Sequence, residues 1–284
     1  MFYRLFKVSF VALAFLLIGA VGDHSAKANP IDCSGGDCTV SDGGASILYD
    51  ASSDWEMNDF IVGGMNHLFE EEYHACFNCF RDDINFELDD NFDLISATED
   101  EAANRILIVM EGEGLRLTFD HVLSGSSSPG FSTATIDETI TIENIDPSGA
   151  PITLTLSEYD DFDLNDNSDD DTVSSDGTIF TQTAGNTTLT LTSTLFDYFD
   201  VGECCEGDIL EDELVDGHLA GRTDFGPGDA AFALQYDLEV VNGQAIVIEK
   251  QKTITVVPEP ASLALFAIGM AAIGYRRKRR GKQM

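Results

Sequence analysis

The stretch Ala230–Val240, AAFALQYDLEV, places Ala230, Phe232, Leu234, Tyr236, Leu238 and Val240 at alternate positions, with Gln235, Asp237 and Glu239 between them. Side chains of an extended strand alternate between two faces, so this pattern yields one apolar face and one polar face only if the segment is β. The same period of two recurs in STATIDETITIEN, where Ala134, Ile136, Ile140 and Ile142 oppose Thr135, Thr139 and Thr141. It appears again in PITLTL (Ile152, Leu154, Leu156) and in TTLTLTS (Leu189, Leu191). Asn242-Gly243, followed by Ala245, Ile246 and Ile248, reads as a tight hairpin turn, and Glu111-Gly112-Glu113-Gly114 between RILIVM and GLRLTF reads as a second. GGMNHLFEEEYHACFNCF is ambiguous between strand and short helix. Phe69, Tyr73, Ala75, Phe77 and Cys79 favour a strand, and Glu71 breaks the pattern. Strands of this kind, without alternating long helices, predict an all-β, antiparallel β-sandwich.

The two ends depart from this pattern. Arg4 and Lys7 precede an apolar run from Val8 to Val21, and Ala26-Lys27-Ala28 follows, which is the form of a secretory signal cleaved after Ala28. An uncleaved N-terminal anchor is the alternative, but the run is short for a span. At the other end Ala261–Tyr275 is apolar or small throughout and is followed by Arg276, Arg277, Lys278, Arg279 and Arg280. A full crossing takes roughly 20 residues, so this transmembrane helix is short. Positive charge stays on the cytoplasmic side, which leaves both ends inside and places the body outside. The organisation expected is therefore signal peptide 1–28, β-rich ectodomain 29–257 and C-terminal segment 258–284.

The ectodomain carries nearly all of the acidity. The chain has 51 acidic and 15 basic residues, and all but two of the acids fall in 29–257. The bases there are Arg81, Arg105, Arg116, Arg222, Lys250 and Lys252, so the body stands near −43. Such a field repels nucleic acid and attracts cations, which excludes nucleic acid as a partner. The densest oxygen cluster runs from Asp160 to Asp171. Asp161, Asp163 and Asn165 have the D-x-D-x-N spacing of a calcium loop, although Asp166 stands where an EF-hand needs Gly and Thr172 where it needs Glu. Two readings stand side by side: a solvated acidic turn, and a weak Ca²⁺ site as the one cofactor the sequence offers. Six cysteines in an exported chain read first as disulfides: Cys33 with Cys38, and Cys76 and Cys79 with Cys204 and Cys205. A zinc site from His74, Cys76 and Cys79 with Cys204 or Cys205 is the alternative. His67, His74, His121 and His218 fall in no catalytic motif.

Val257-Pro258-Glu259-Pro260, then the apolar helix, then the Arg-rich end, resembles the PEP-CTERM sorting signal. In that family the tail directs exported proteins to an exosortase, a membrane cysteine protease of bacteria that make extracellular polysaccharide, thought to act near the Pro-Glu-Pro motif. The resemblance implies signal peptidase and an exosortase-type enzyme as processing partners, membrane attachment through the C-terminal helix before processing, and a final place on the cell surface or in the extracellular matrix. GGMNHLFEEEY, SEYDDFDLNDNSDDDT and FGPGDAAFALQYDLEV also resemble, in that order, a recurrent ectodomain of PEP-CTERM proteins; Cys76 and Cys79 depart from its aromatic pattern. The function expected is a structural or interaction role in an exopolysaccharide layer rather than an enzyme. A calcium-dependent carbohydrate-binding module or adhesin is the alternative, and a secreted hydrolase comes third.

Overall fold

The computed structural model describes residues 30–50, 56–77, 88–128, 131–204 and 219–257. Ala26 and Ala28, Pro258-Glu259-Pro260, the C-terminal apolar segment and the basic tail lie outside the described residues, as do Cys79 and Cys205. In chain order the strands are β1 (Ile31–Asp32), β2 (Asp37–Asp42), β3 (Ala45–Asp50), β4 (Met57–Val62), β5 (Met65–Asn66) and β6 (Glu70–Phe77). A single helical turn, α1 (Leu88–Asn91), precedes β7 (Asp93–Asp100), β8 (Arg105–Gly112), β9 (Leu115–Ser128) and β10 (Phe131–Asn144). Then come β11 (Ile152–Asp161), β12 (Asp171–Ser175), β13 (Ile179–Ala184), β14 (Thr187–Ser193) and β15 (Tyr198–Glu203). After an interval come β16 (Asp224–Gly228), β17 (Ala230–Val240) and β18 (Ala245–Val256).

Every pairing among these strands is antiparallel. Ten strands form one long sheet in the order β1-β7-β8-β9-β10-β18-β14-β13-β12-β16. Two four-stranded sheets, β2-β3-β4-β5 and β15-β17-β11-β6, complete the structure. The all-β antiparallel expectation therefore holds for the described residues.

The predicted Glu113-Gly114 turn is present. Gly112 pairs with Leu115, and Glu113 and Gly114 take φ of 49° and 80°, the left-handed pair that a two-residue hairpin turn requires. Asn242-Gly243 behaves differently. β17 pairs with β11 and β15, whereas β18 pairs with β10 and β14, so this turn carries the chain from one sheet to another and closes no hairpin. A tight turn fixes a reversal of direction; it does not fix which strands the two arms pair with. β18 instead matches β10 from Ser132 to Glu143, a longer partner than β17 would offer. The ambiguous segment GGMNHLFEEEYHACF resolves as the strand β6, an edge of its sheet.

The core lies between the long sheet and the two smaller ones. Phe180 of β13 stacks on Phe232 of β17 at 5.7 Å and meets Phe199 of β15 edge-on at 5.4 Å. On the other side Ile106, Ile108 and Met110 of β8 and Leu117 and Phe119 of β9 are buried, as are Ile47, Tyr49 and Phe60 of the β2–β5 sheet. Gly125 of β9 shows how closely that sheet approaches. Its amide donates to Asp42 Oδ2 at 2.9 Å, and a Cβ there would come within 1.9 Å of the Asp42 carbonyl oxygen.

Candidate functional site

Between these apolar regions the inward register of five strands changes from apolar to polar. On β10, Glu138 lies between Ile136 and Ile140; on β18, Lys250 and Lys252 lie between Ile248 and Ile254; all seven are buried. β11 continues Leu154 and Leu156 with Glu158 and Asp160, β6 contributes Glu71, and β9 contributes His121. Lys250 Nζ lies 2.8 Å from Glu138 Oε2 and 2.5 Å from Glu158 Oε1. It also donates to the Tyr73 hydroxyl and sits 4.7 Å above the centre of that ring. Lys252 Nζ lies 2.7 Å from Glu71 Oε2, 2.9 Å from Glu158 Oε1 and 2.6 Å from Asp160 Oδ1. Tyr73 donates to Glu138 at 2.5 Å, and the Tyr49 hydroxyl and His121 Nε2 are 2.8 Å apart. Glu71, Glu138, Glu158, Asp160, Lys250 and Lys252 are each between 0 and 3 % exposed.

Charges so far from water persist only when paired, and their neighbours decide which groups ionise. Burial opposes ionisation of Glu138, but Lys250 and then His121 overcome it and hold this carboxyl well below the usual range. Burial likewise opposes Glu158, which Lys250 and Lys252 hold low. Burial prevails at Glu71, whose carboxyl is pushed up, and at Asp160, which is pushed well above its ordinary value despite Lys252. Both lysines stay cationic: burial works against the ammonium, but Glu138 and Glu158 around Lys250, and Asp160 and Glu158 around Lys252, raise them. Two ammonium groups thus meet two carboxyls held low, Glu138 and Glu158, and two that burial pushes up, Glu71 and Asp160. Lys250 and Lys252 are the only lysines between residues 29 and 257, so this acidic body places both of them in its interior.

Two acidic groups lie nearer the surface. In the loop after β11 the calcium-type residues separate. Asn165 donates through Nδ2 to the Ala184 carbonyl at 3.0 Å and accepts from the Thr187 hydroxyl, so both ends of its amide hold the loop to β13 and β14. Asp161 sits with Cys204 and Asp229, their ligand atoms within 4.8 Å of one another. Asp163 is pushed up by burial and then by Asp229 and Asp166. Burial pushes Asp171 up to about 7, against hydrogen bonds from Leu164 N and the Gln182 side chain. One buried oxygen on each of Asp163, Asp171 and Asp229 accepts no hydrogen bond. On the outer face of β6, Glu70 and Glu72 approach Glu56 within 4.8 Å, and His74 Nε2 lies 3.2 Å from Glu72 Oε2. Burial and Glu72 push Glu70 up to about 9.

The description "PEP-CTERM protein-sorting motif" fits residues 256–280. The chain carries a PEP-CTERM sorting motif. That motif implies an exported protein, processed by exosortase, which is membrane-anchored and then reaches the cell surface. No curated protein sequence matches this chain. Among solved structures it is similar to a bacterial glucoamylase complexed with acarbose, with TM-score 0.53 and 10 % identity over 84 % of this chain and 34 % of that one. It thus spans about a third of that protein's length, and at this identity the likeness is one of fold. A protein from the human microbiome described as a kojibiose phosphorylase aligns with TM-score 0.38 and 9 % identity, over 74 % of this chain and 23 % of that one, too distant to carry an argument.

The cysteines of the PEP-CTERM chain follow the disulfide reading as far as they are described. Cys33 and Cys38 are bridged, with Cα atoms 5.4 Å apart, and Cys76 and Cys204 are also disulfide-bonded. Among the described residues no cysteine is free, so Cys76 and Cys204 offer no thiolate to a zinc ion. The interior charge network was missed by sequence reading. Its signal was a polar residue at an inward position of an otherwise apolar face: Glu71 in β6, Glu138 in STATIDETITIEN, and Lys250 and Lys252 after Ile248.

Proposed function

We infer that this chain is a surface or extracellular-matrix protein with a structural or interaction role in an exopolysaccharide layer. The observation that carries the reading is the sorting motif at 256–280, placed after a β-sandwich body. The interior supports it. Glu71, Glu138, Glu158 and Asp160 are at most 1 % exposed and are engaged with Lys250 and Lys252, which ties the sheets together as a structural role requires. The likeness to a glucoamylase carries no catalytic assignment, being one of fold.

The test is to follow the tagged full-length protein in its own polysaccharide-producing host. The native chain should be recovered in the matrix fraction beginning at Asn29 and lacking Arg276–Met284. The variant Pro258→Ala, Glu259→Ala, Pro260→Ala should stay in the membrane fraction. A native chain that keeps its basic tail, or that leaves the matrix in a low-salt wash, overturns the reading.

The second reading is calcium-dependent glycan binding, and one observation favours it. Asp229 lies close enough to Asp163 to push its carboxyl up, Asp163 does the same to Asp171, and each of the three has a buried oxygen without a hydrogen bond. A hard divalent cation takes such oxygens as ligands. Among the residues expected from sequence, Asp163 stays in this set, joined by Asp171 and Asp229 in place of Asn165, whose amide is occupied. Calcium should then raise the melting temperature beyond sodium chloride at equal ionic strength. The variant Asp163→Asn, Asp229→Asn should lose that difference; a difference that survives refutes the site.

A further inference from the structure

The network holds one pair in the geometry of a reaction. Lys252 Nζ lies 2.6 Å from Asp160 Oδ1, both residues are fully buried, and they stand on strands of different sheets 92 residues apart in sequence. Glu71 faces Asp160 directly across the β6–β11 pairing, and ligand atoms of Glu71, Glu158 and Asp160 lie within 4.8 Å of one another. Asp160 Oδ2 is buried and accepts no hydrogen bond. We propose that Lys252 and Asp160 condense into an intramolecular isopeptide bond that joins β18 of the long sheet to β11 of the smaller one, with Glu158 and Glu71 moving the protons.

Amide formation needs a neutral amine and a neutral carboxyl, and in water at neutral pH both are charged. Here the interior supplies a carboxyl pushed toward its acid form and a carboxylate placed to take the ammonium's proton. Burial pushes the Asp160 carboxyl well above its ordinary value despite Lys252, which favours the acid form whose Cγ is an acid carbonyl rather than a carboxylate. Glu158 is the ionised carboxylate beside the amine, 2.9 Å from Nζ, and takes one proton from the Lys252 ammonium. The free amine attacks Asp160 Cγ and the C–N bond forms. Glu71, which burial pushes toward its acid form and which lies 2.7 Å from Nζ, gives its proton to the departing hydroxyl and takes the surplus proton from nitrogen. The Cγ–OH bond breaks and one water leaves. The balance closes: ammonium, aspartic acid and glutamate become amide, water and glutamic acid, with Glu71 unchanged. What remains is the Lys250 ammonium against the Glu138 carboxylate at 2.8 Å, so the layer is neutral before and after. The step replaces a buried ion pair by a neutral amide, which low dielectric favours, and holding the partners in contact supplies the effective concentration that free amine and acid lack.

The pairing is selective. Lys250 also touches a carboxyl at 2.5 Å, but its partner Glu158 is ionised and a poor electrophile, so the reactive pair is Lys252 with Asp160.

The test is the denatured intact mass of the native exported chain. It should fall below the disulfide-bonded formula by one water, about 18 Da, as expected for a condensation. Trypsin should fail to cut after Lys252 and should give a branched peptide joining the segment 117–222 to the segment that starts at Gln251. Glu71→Gln and Glu158→Gln, which keep side-chain volume, should restore the full mass and leave the two peptides separate. A native chain of full formula mass with separate peptides overturns the proposal, and that measurement needs no variant to fold. A mass deficit that persists in Lys252→Met, with the bridge mapped to other residues, overturns it too.

Discussion

Replacing Lys250 by Met tests whether the interior network is a balanced set of charges, and it leaves the Lys252–Asp160 pair in place. The ammonium has Glu138 at 2.8 Å and Glu158 at 2.5 Å, and it covers the Tyr73 ring. At an effective dielectric of 20 each contact represents about 6 kcal/mol of attraction. Burying the ammonium costs several kcal/mol in return, and removing one partner of a buried pair typically costs about 3–5 kcal/mol because the other charge is left alone. Lys250→Met should therefore destabilise by about 3–5 kcal/mol, lowering the melting temperature by about 6–20 °C for a domain of this size. Adding Glu138→Gln removes the stranded charge and should recover half or more of the loss.

The pH dependence of the same variant has a defined sign. In the native protein Glu138 and Glu158 have lowered pKa values, so their stabilisation is present above the unfolded carboxylate range and is lost as pH falls through the folded values. Glu71 and Asp160 are raised, so they favour the fold at low pH and cost stability as pH climbs from the unfolded range toward their folded values. Without Lys250, burial moves Glu138 into this second class, and the gap between variant and native protein should narrow toward pH 4. Urea unfolding of the disulfide-intact exported chain from pH 4 to pH 8 measures all of this. A cost below about 1 kcal/mol at pH 7, or a double variant less stable than the single, would refute the charge-balance argument.

Three further outcomes are expected. Gly125→Ala should destabilise by about 1–3 kcal/mol, because its Cβ meets the Asp42 backbone and the β2–β5 sheet must shift to admit it; an unchanged urea midpoint counts against that packing. Cys33→Ala with Cys38→Ala should cost about 2 kcal/mol, the closure entropy of so short a loop, while alkylation of the native chain without reductant should leave its cysteines unlabelled. Burial raises Asp171 to about 7, so it stabilises the fold below the unfolded aspartate range and loses that effect as pH climbs toward 7. Asp171→Asn should thus flatten part of the fall in melting temperature between pH 4 and pH 7, and an identical slope in variant and native protein would remove Asp171 from the account.

The sequence alone determined which residues form strands and which face each side chain takes, because alternation is a property of one extended segment and needs no partner. Ala134, Ile136, Ile140 and Ile142 are buried as their spacing required, and Glu113-Gly114 turns as its residue types required. The sorting motif was legible for a similar reason: its parts are contiguous and are recognised by order along the chain. Tertiary structure decided which strands lie beside or opposite one another. Asn242-Gly243 fixes a reversal but leaves open whether β18 pairs with β17 or crosses to β10, and the longer register with β10 settled it. The charge network depended on the same choice. Lys252 and Asp160 are 92 residues apart and Lys250 and Tyr73 are 177 apart, so each appeared in its own strand as an isolated breach of an apolar face. Glu71 seemed to argue against a strand until β6 stood within reach of β18. A polar residue in an apolar register records that a partner must exist, since an unpaired buried charge is too costly to keep, but only the stacking of the sheets brings that partner to it.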